Sequence, residues 1–182
     1  MKVIATGFEG LFVLEPRVFA DERGYFFESF NSQTFKTNGF DFDWVQDNQS
    51  QSKYGVIRGL HFQKPPHAQT KLIRVLKGEI LDVVVDLRYN LPTYGKTFSI
   101  VLSSQNNLQL LIPKGFAHGF SVLSDEADVM YKCDALYNKE SESGILFNDQ
   151  QLEIDWQVEQ DKMVVSDKDL VLPPFDEKQI IF

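Results

Sequence analysis

The chain has 182 residues, 43% of them hydrophobic, with 16 Phe and a formal net charge of −8 at pH 7. That is enough apolar material for one folded domain and too much for a disordered chain. The acidic balance argues against nucleic-acid binding, which needs a basic footprint, although a few convergent Arg and Lys can still attract an anionic small molecule. The single cysteine, Cys133, allows no intrachain disulfide and fits a reducing compartment. The opening residues MKVIATGFEG lack the apolar run of a signal peptide, and no stretch is long and apolar enough for a membrane span. The cytoplasm is the expected compartment, with no membrane partner.

Strand signals dominate the chain. ADERG (20–24) reads as an exposed turn around Glu22 and Arg23, leading into GYFFESF, where a continuous strand would put Phe26, Glu28 and Phe30 on one face. SQTFKTNGF follows as a short helix, with Ser32 as its cap and Gly39 as its stop. After GVIRGLHFQ (55–63) come TKLIRVLKG, EILDVVVDLR, KTFSIVLS, NLQLLIP, FAHGFSVLS and DVMYKCDAL, short runs of β-branched and aromatic residues bounded by Gly, Pro, Asn, Asp or Ser. Lys77–Gly78 has the look of a hairpin turn, residues 90–95 of a longer loop, and residues 103–107 of another turn. NDQQLEIDW (148–156) reads as a second short helical patch. Roughly ten short strands with few helices mean a sandwich or a closed barrel. An antiparallel jelly-roll barrel, one domain over residues 1–182, is the expected fold, because a lined interior accounts for polar residues at inward positions.

Those polar residues carry the functional reading. Lys71 heads the row Ile73, Val75; His118 lies between Phe116 and Phe120; Tyr131 lies between Val129 and Cys133; Glu28 lies between two Phe; and His61 sits inside an apolar run. A buried polar group without a partner costs about 1–3 kcal/mol, so several together point to a common wet cavity. Singly, each has a plainer explanation: a satisfied core His or Tyr, or a Lys71 that snorkels to solvent. His67, in KPPHAQ, reads as a solvated loop residue. Pro113, Gly115 and His118 match the later metal-binding motif of cupins, P-x-G-x-x-H, but the earlier H-x-H pair is broken, since Gln63 stands two residues after His61. Two imidazoles and an amide are a poor ligand set, so no metal is expected and His61 is free to act as a base.

GVIRGLHFQ, QTKLIRVLKGEILDVVVDLR, LPTYGK, IPKGFAHGFSVLS, MYK, ESESGI and SDKDLVLP occur in order from about residue 7 to residue 175. In these strings the chain resembles the dTDP-4-dehydrorhamnose 3,5-epimerase family. The resemblance implies a cupin-like jelly roll, a homodimer, no cofactor, and 3,5-epimerisation of dTDP-4-dehydro-6-deoxy-D-glucose on the way to dTDP-L-rhamnose. It further implies His61 as base, Tyr131 as acid, Lys71 as stabiliser of the enolate, and Asp169 as the carboxylate behind His61, with Asp167 as the rival. Ser166 and Asp169 also fit the pattern of a helix-capping pair. Arg23, Glu28, Gln46, Asp47, Asn48, Arg58, His118, Tyr137, Glu142 and Lys168 match substrate-contacting positions, and residues 1–30 are expected to join the partner's sheet or site. Arg58 poses a geometric problem, because in a regular strand it and His61 point to opposite faces. A bulge at Gly59 would re-aim one of them; alternatively, Arg58 serves the other subunit. Phe62 and Phe147 stand where the family often has Tyr and Trp. The rival readings are a mono-epimerase of a related 4-keto sugar nucleotide, a catalytically silent nucleotide-sugar-binding module, and a metal-dependent cupin oxygenase.

Overall fold

Side-chain alternation along the strands closes two antiparallel sheets face to face in a cupin-like jelly roll. The structure is a computed structural model and describes residues 1–178 and 180–182. The strands are β1 (Lys2–Ala5), β2 (Phe12–Glu15), β3 (Phe19–Asp21), β4 (Gly24–Phe26), β5 (Gln46–Lys53), β6 (Val56–Gln63) and β7 (Lys71–Lys77). They continue with β8 (Glu79–Asp86), β9 (Thr97–Ser103), β10 (Gln109–Ile112), β11 (Phe116–Val122), β12 (Glu126–Cys133), β13 (Glu142–Gly144) and β14 (Val164–Val165). The helices are α1 (Ser32–Thr37) and α2 (Asp167–Leu170). The first sheet has the order β1-β2-β10-β7-β12-β5; the second runs β13-β6-β11-β8-β9, with β14 added parallel to β6. β3 and β4 form a separate hairpin.

Three apolar clusters hold these layers. Between the sheets lie Ile73, Val75, Ile80, Val84, Leu110, Phe116, Phe120 and Val129. The far face of the second sheet buries Ile57, Leu60, Leu81, Val83, Val85 and Ala117 under Phe147, Trp156 and Phe175 of the C-terminal segment. β8 is therefore covered on both faces, which explains its nearly continuous apolar run. Leu14, Leu72 and Leu111, on the outer side of the first sheet, pack under Phe35 and Phe40. Among the described residues, no helix is long and apolar enough to cross a membrane.

Four local expectations need correction. The cap of α1 is Asn31, not Ser32: the Asn31 side chain accepts the Thr34 N–H at 3.1 Å. The stop at Gly39 holds, with φ +86° and a Phe40 N–H to Phe35 carbonyl bond of 2.9 Å closing the helix end. Lys77–Gly78 is a corner between sheets rather than a hairpin, since β7 pairs with β10 and β12 while β8 pairs with β9 and β11. Gly78, at φ +76°, is required there because a Cβ would collide with the Glu126 carbonyl. NDQQLEIDW forms turns and no helix, because the Asp149 carboxylate draws in the backbone N–H groups of Gln151 and Phe175 (both 2.8 Å). The strand through GYFFESF ends at Phe26, and Glu28 instead accepts a bond from Asn31, so the expected Phe26–Glu28–Phe30 face is not formed.

Candidate active site

The site begins with an irregularity in β6. His61 lies opposite His118 and Arg58 opposite Phe120, so two residues, Gly59 and Leu60, face the single Gly119. This bulge, with Gly59 at φ +117°, reverses the alternation within the strand. Arg58 and His61 consequently line the same cavity of about 470 Å³, together with Lys71, His118, Tyr131, Lys168 and Asp169. The geometric conflict read from the sequence is resolved within one chain.

His61 Nε2 lies 2.7 Å from Asp169 Oδ1. Asp169 is buried, and its other carboxylate oxygen accepts the Gly59 N–H at 3.3 Å. Ser166 caps α2 by accepting the Asp169 N–H at 3.2 Å. The two readings of SDKD are thus both realised: the backbone of Asp169 serves the cap and its carboxylate serves His61. Asp167 is exposed. Burial lowers the pKa of His61, and Asp169 pulls it partly back up. Burial also lowers that of Lys71 and raises that of Tyr131. The Lys71 ammonium stands 6.0 Å from the centre of the Tyr131 ring. Cys133 is carried by burial up to about 11, an inert thiol.

A second imidazole–carboxylate pair lies one strand away. His118 Nε2 is 3.0 Å from Asp82 Oδ2, and both residues are buried. Asp82 Oδ1 is buried without a hydrogen-bond partner among the described residues. Asp82 was missed in the sequence, although its signal was there: it is a carboxylate inside the apolar run EILDVVVD, on the inward face it shares with Ile80 and Val84. Ser52 was missed as well. Its hydroxyl accepts from Arg58 Nε at 2.9 Å, and the guanidinium also reaches the Gln51 carbonyl at 3.4 Å.

A smaller cavity of about 160 Å³ adjoins the first and shares His61, Lys71 and Tyr131 with it. Gln46, Asn48, Tyr137 and Glu142 line it and are chained together. Gln46 donates to Asn48 (3.0 Å), the Tyr137 N–H donates to Gln46 (2.9 Å), and the Tyr137 hydroxyl donates to Glu142 (2.9 Å). Lys168 closes the chain on Glu142 at 2.6 Å. Burial opposes ionisation of Glu142, but the bonds from Lys168 and Tyr137 prevail and hold its pKa down. Gln63 is committed to the adjacent loop: its amide nitrogen donates to the carbonyls of His67 and Leu136, and its oxygen accepts from Asn138.

Three residues expected at the site line neither cavity. Asp47 is turned to the other face of β5 and paired with Lys132 at 2.9 Å. Arg23 sits in the β3–β4 turn, bonded to Asp21, and Glu28 is held by Asn31. His67 is exposed, as read.

A jelly roll whose interior gathers an oriented imidazole, a phenol and a half-buried ammonium, with a guanidinium at the side, holds the groups that acid–base chemistry on an anionic substrate would need, and it is a cupin-like site of that class. The comparisons narrow this class. A family profile described as dTDP-4-dehydrorhamnose 3,5-epimerase matches residues 5–177. The enzyme of that name from Methanothermobacter thermautotrophicus is 48% identical over 180 residues, covering 98% of this chain and 97% of its own. The crystal structure of the Elizabethkingia anophelis NUHP1 enzyme superposes with a TM-score of 0.92 at 49% identity, covering 98% of each chain. A dTDP-6-deoxy-D-glucose-3,5-epimerase from Legionella pneumophila, solved with dTDP-4-keto-L-rhamnose, gives 0.88 at 43% identity, covering 96% of this chain and 98% of that one. The chain belongs to the dTDP-4-dehydrorhamnose 3,5-epimerase family.

Proposed function

We propose that the protein, acting as a single domain and without a cofactor, epimerises dTDP-4-dehydro-6-deoxy-D-glucose at C3 and C5 to dTDP-4-dehydro-L-rhamnose. The observation that carries this reading is the grouping of the His61–Asp169 pair, Lys71 and Tyr131 around one cavity. Both carbons flank the C4 ketone, so each proton is removed to give an enolate and returned on the opposite face. With Asp169 accepting from Nε2–H, the lone pair of His61 is on Nδ1, and that nitrogen takes the proton. Lys71 faces the enolate oxygen, and Tyr131 returns a proton across the ring. A base must be unprotonated and an acid protonated at the same pH. Burial favours the neutral form of each, moving His61 down and Tyr131 up. Arg58 and Lys168 supply positive charge for the diphosphate.

The working unit in this reading is a cytoplasmic homodimer. The β3–β4 hairpin exposes Phe19, Tyr25 and Phe26 by 51%, 59% and 67% and carries Arg23, and a second copy would bury those rings while receiving Arg23 and Glu28. Incubation with the 4-keto substrate in deuterated water tests the function. Deuterium at both C3 and C5 is the expected result; label at one carbon means a mono-epimerase, and no label means a binding module. Turnover is expected to survive exhaustive chelation.

A further inference from the structure

We infer that Gly119 is a positioning residue: its lack of a side chain lets β11 touch the β6 bulge, and that contact aims both Arg58 and the Asp169–His61 pair into the cavity. The inference rests on the proposed reaction for its kinetic readouts, and on geometry alone for its spectroscopic one.

The two strands meet here glycine to glycine. A Cβ on Gly119 would stand 2.6 Å from the Arg58 carbonyl oxygen and 3.2 Å from the Gly59 Cα. A Cβ on Gly59 would stand 2.6 Å from the Gly119 Cα and 2.7 Å from the His118 carbonyl oxygen. Gly59 is also needed for its φ of +117°. Gly119 does not lie in the left-handed region, so space is the sole objection to a side chain there; a Leu60 methyl at 3.2 Å could shift, but the nearest atom in the way, the Arg58 carbonyl oxygen, is backbone that cannot swing aside.

The cavity depends on this contact from both directions. On the β6 side, Arg58 immediately precedes the bulge, and the Gly59 N–H holds Asp169 Oδ2 while His61 holds Oδ1. On the β11 side, His118 immediately precedes Gly119 and is tied to Asp82. Pushing the strands apart at this point therefore disturbs the diphosphate arm and the proton-transfer arm together, whereas a change at Arg58 or Asp169 alone disturbs one. His61 is faced by Asp169 and Lys168 from α2, Lys71 from β7, Tyr131 from β12, His118 from β11 and Glu142 from β13. Of these, Asp169 is the neighbour the bulge holds directly.

The test is Gly119→Ala, with folding checked by near-ultraviolet circular dichroism. The expected variant folds, has a raised KM, loses on the order of 10²-fold in kcat/KM, and has the acid limb of its pH profile moved to lower pH, because Asp169 no longer supports protonation of His61. A folded variant with the wild-type KM, or with an unmoved acid limb, overturns the inference. If the variant does not fold, the decision passes to Asp169→Ala in substrate-free, isotope-labelled protein. There the Gly59 amide resonance is expected to move and its hydrogen exchange to accelerate, and an unchanged Gly59 amide overturns the inference. That readout needs no turnover, so failure of the epimerase reading and failure of this one are distinguishable.

Discussion

Two histidine–aspartate pairs stand side by side, their imidazoles on β6 and β11, and they differ in the access of the imidazole and in how the carboxylate is held. The His61 side chain is 32% exposed into the cavity and its Asp169 is satisfied on both oxygens. The His118 side chain is 9% exposed, and its Asp82 is fully buried with one oxygen unpartnered among the described residues. The first pair has an open imidazole face and a carboxylate with a fixed orientation, which is what a base needs. The second is closed off from solvent and places a negative charge near Lys71, whose ammonium it favours against the cost of burial. In the proposed reaction the same two residue types would serve as a proton acceptor in one place and as electrostatic support in the other, with access deciding which.

The sharpest break of this comparison is His61→Asn. Loss of the base is expected to abolish both turnover and solvent exchange, an effect of at least roughly 10²–10⁴-fold, whereas His118→Asn should leave measurable exchange. Equal loss of exchange in the two variants would make the pairs equivalent and contradict the assignment.

Asp169→Asn comes next, with an expected loss of about 10–100-fold by analogy with carboxylates that orient metal-bound imidazoles. Its diagnostic is the pH profile. Protonated His61 cannot accept a proton, so activity falls as pH drops through its pKa, which burial holds below the usual 6.5. Asp169 raises that pKa, so its removal shifts the acid limb further down. An upward shift would remove Asp169 from this role.

Asp82→Asn is expected to cost less, about tenfold or under, because the amide still accepts from His118 and only the charge facing Lys71 is lost. Its effect should fall on kcat with the acid limb unmoved, and a shifted limb would mean that this pair also titrates in catalysis. The smallest expected effect belongs to Ser52→Ala. Loss of one hydrogen bond to Arg58, of about 0.5–1.5 kcal/mol, should raise KM a few-fold with kcat unchanged; unaltered KM would show that Ser52 does not hold the guanidinium.

Much of this site was legible in the sequence because strands alternate with period two. An ionisable residue in an otherwise apolar row, as with Lys71, His118 and Tyr131, must either find a partner or face a cavity. Arg58 showed the limit of that rule: the alternation put it on the wrong face, and only the bulge register settled where it points. Asp82 escaped notice because its row reads as the core of a strand buried on both faces. The Lys77–Gly78 corner was misread because a local turn signal says nothing about which sheet the next strand joins. NDQQLEIDW failed for a different reason, since its helical composition loses to the bonds Asp149 makes with Gln151 and with the distant Phe175. Asp47 and Arg23 came from family resemblance; Glu28 came also from an expected Phe26–Glu28–Phe30 strand face, which is lost because β4 ends at Phe26.

The central claim, that His61 and Tyr131 act in succession from opposite faces of one ring, is tested most directly by Tyr131→Phe in deuterated water. The substitution keeps the packing of the ring and deletes only its hydroxyl. The account predicts continued solvent exchange at the carbons beside the ketone, with little net inversion, because His61 still removes a proton and returns deuterium to the same face. Inversion of both centres at the wild-type rate would contradict it, and would leave Tyr131 as a packing residue.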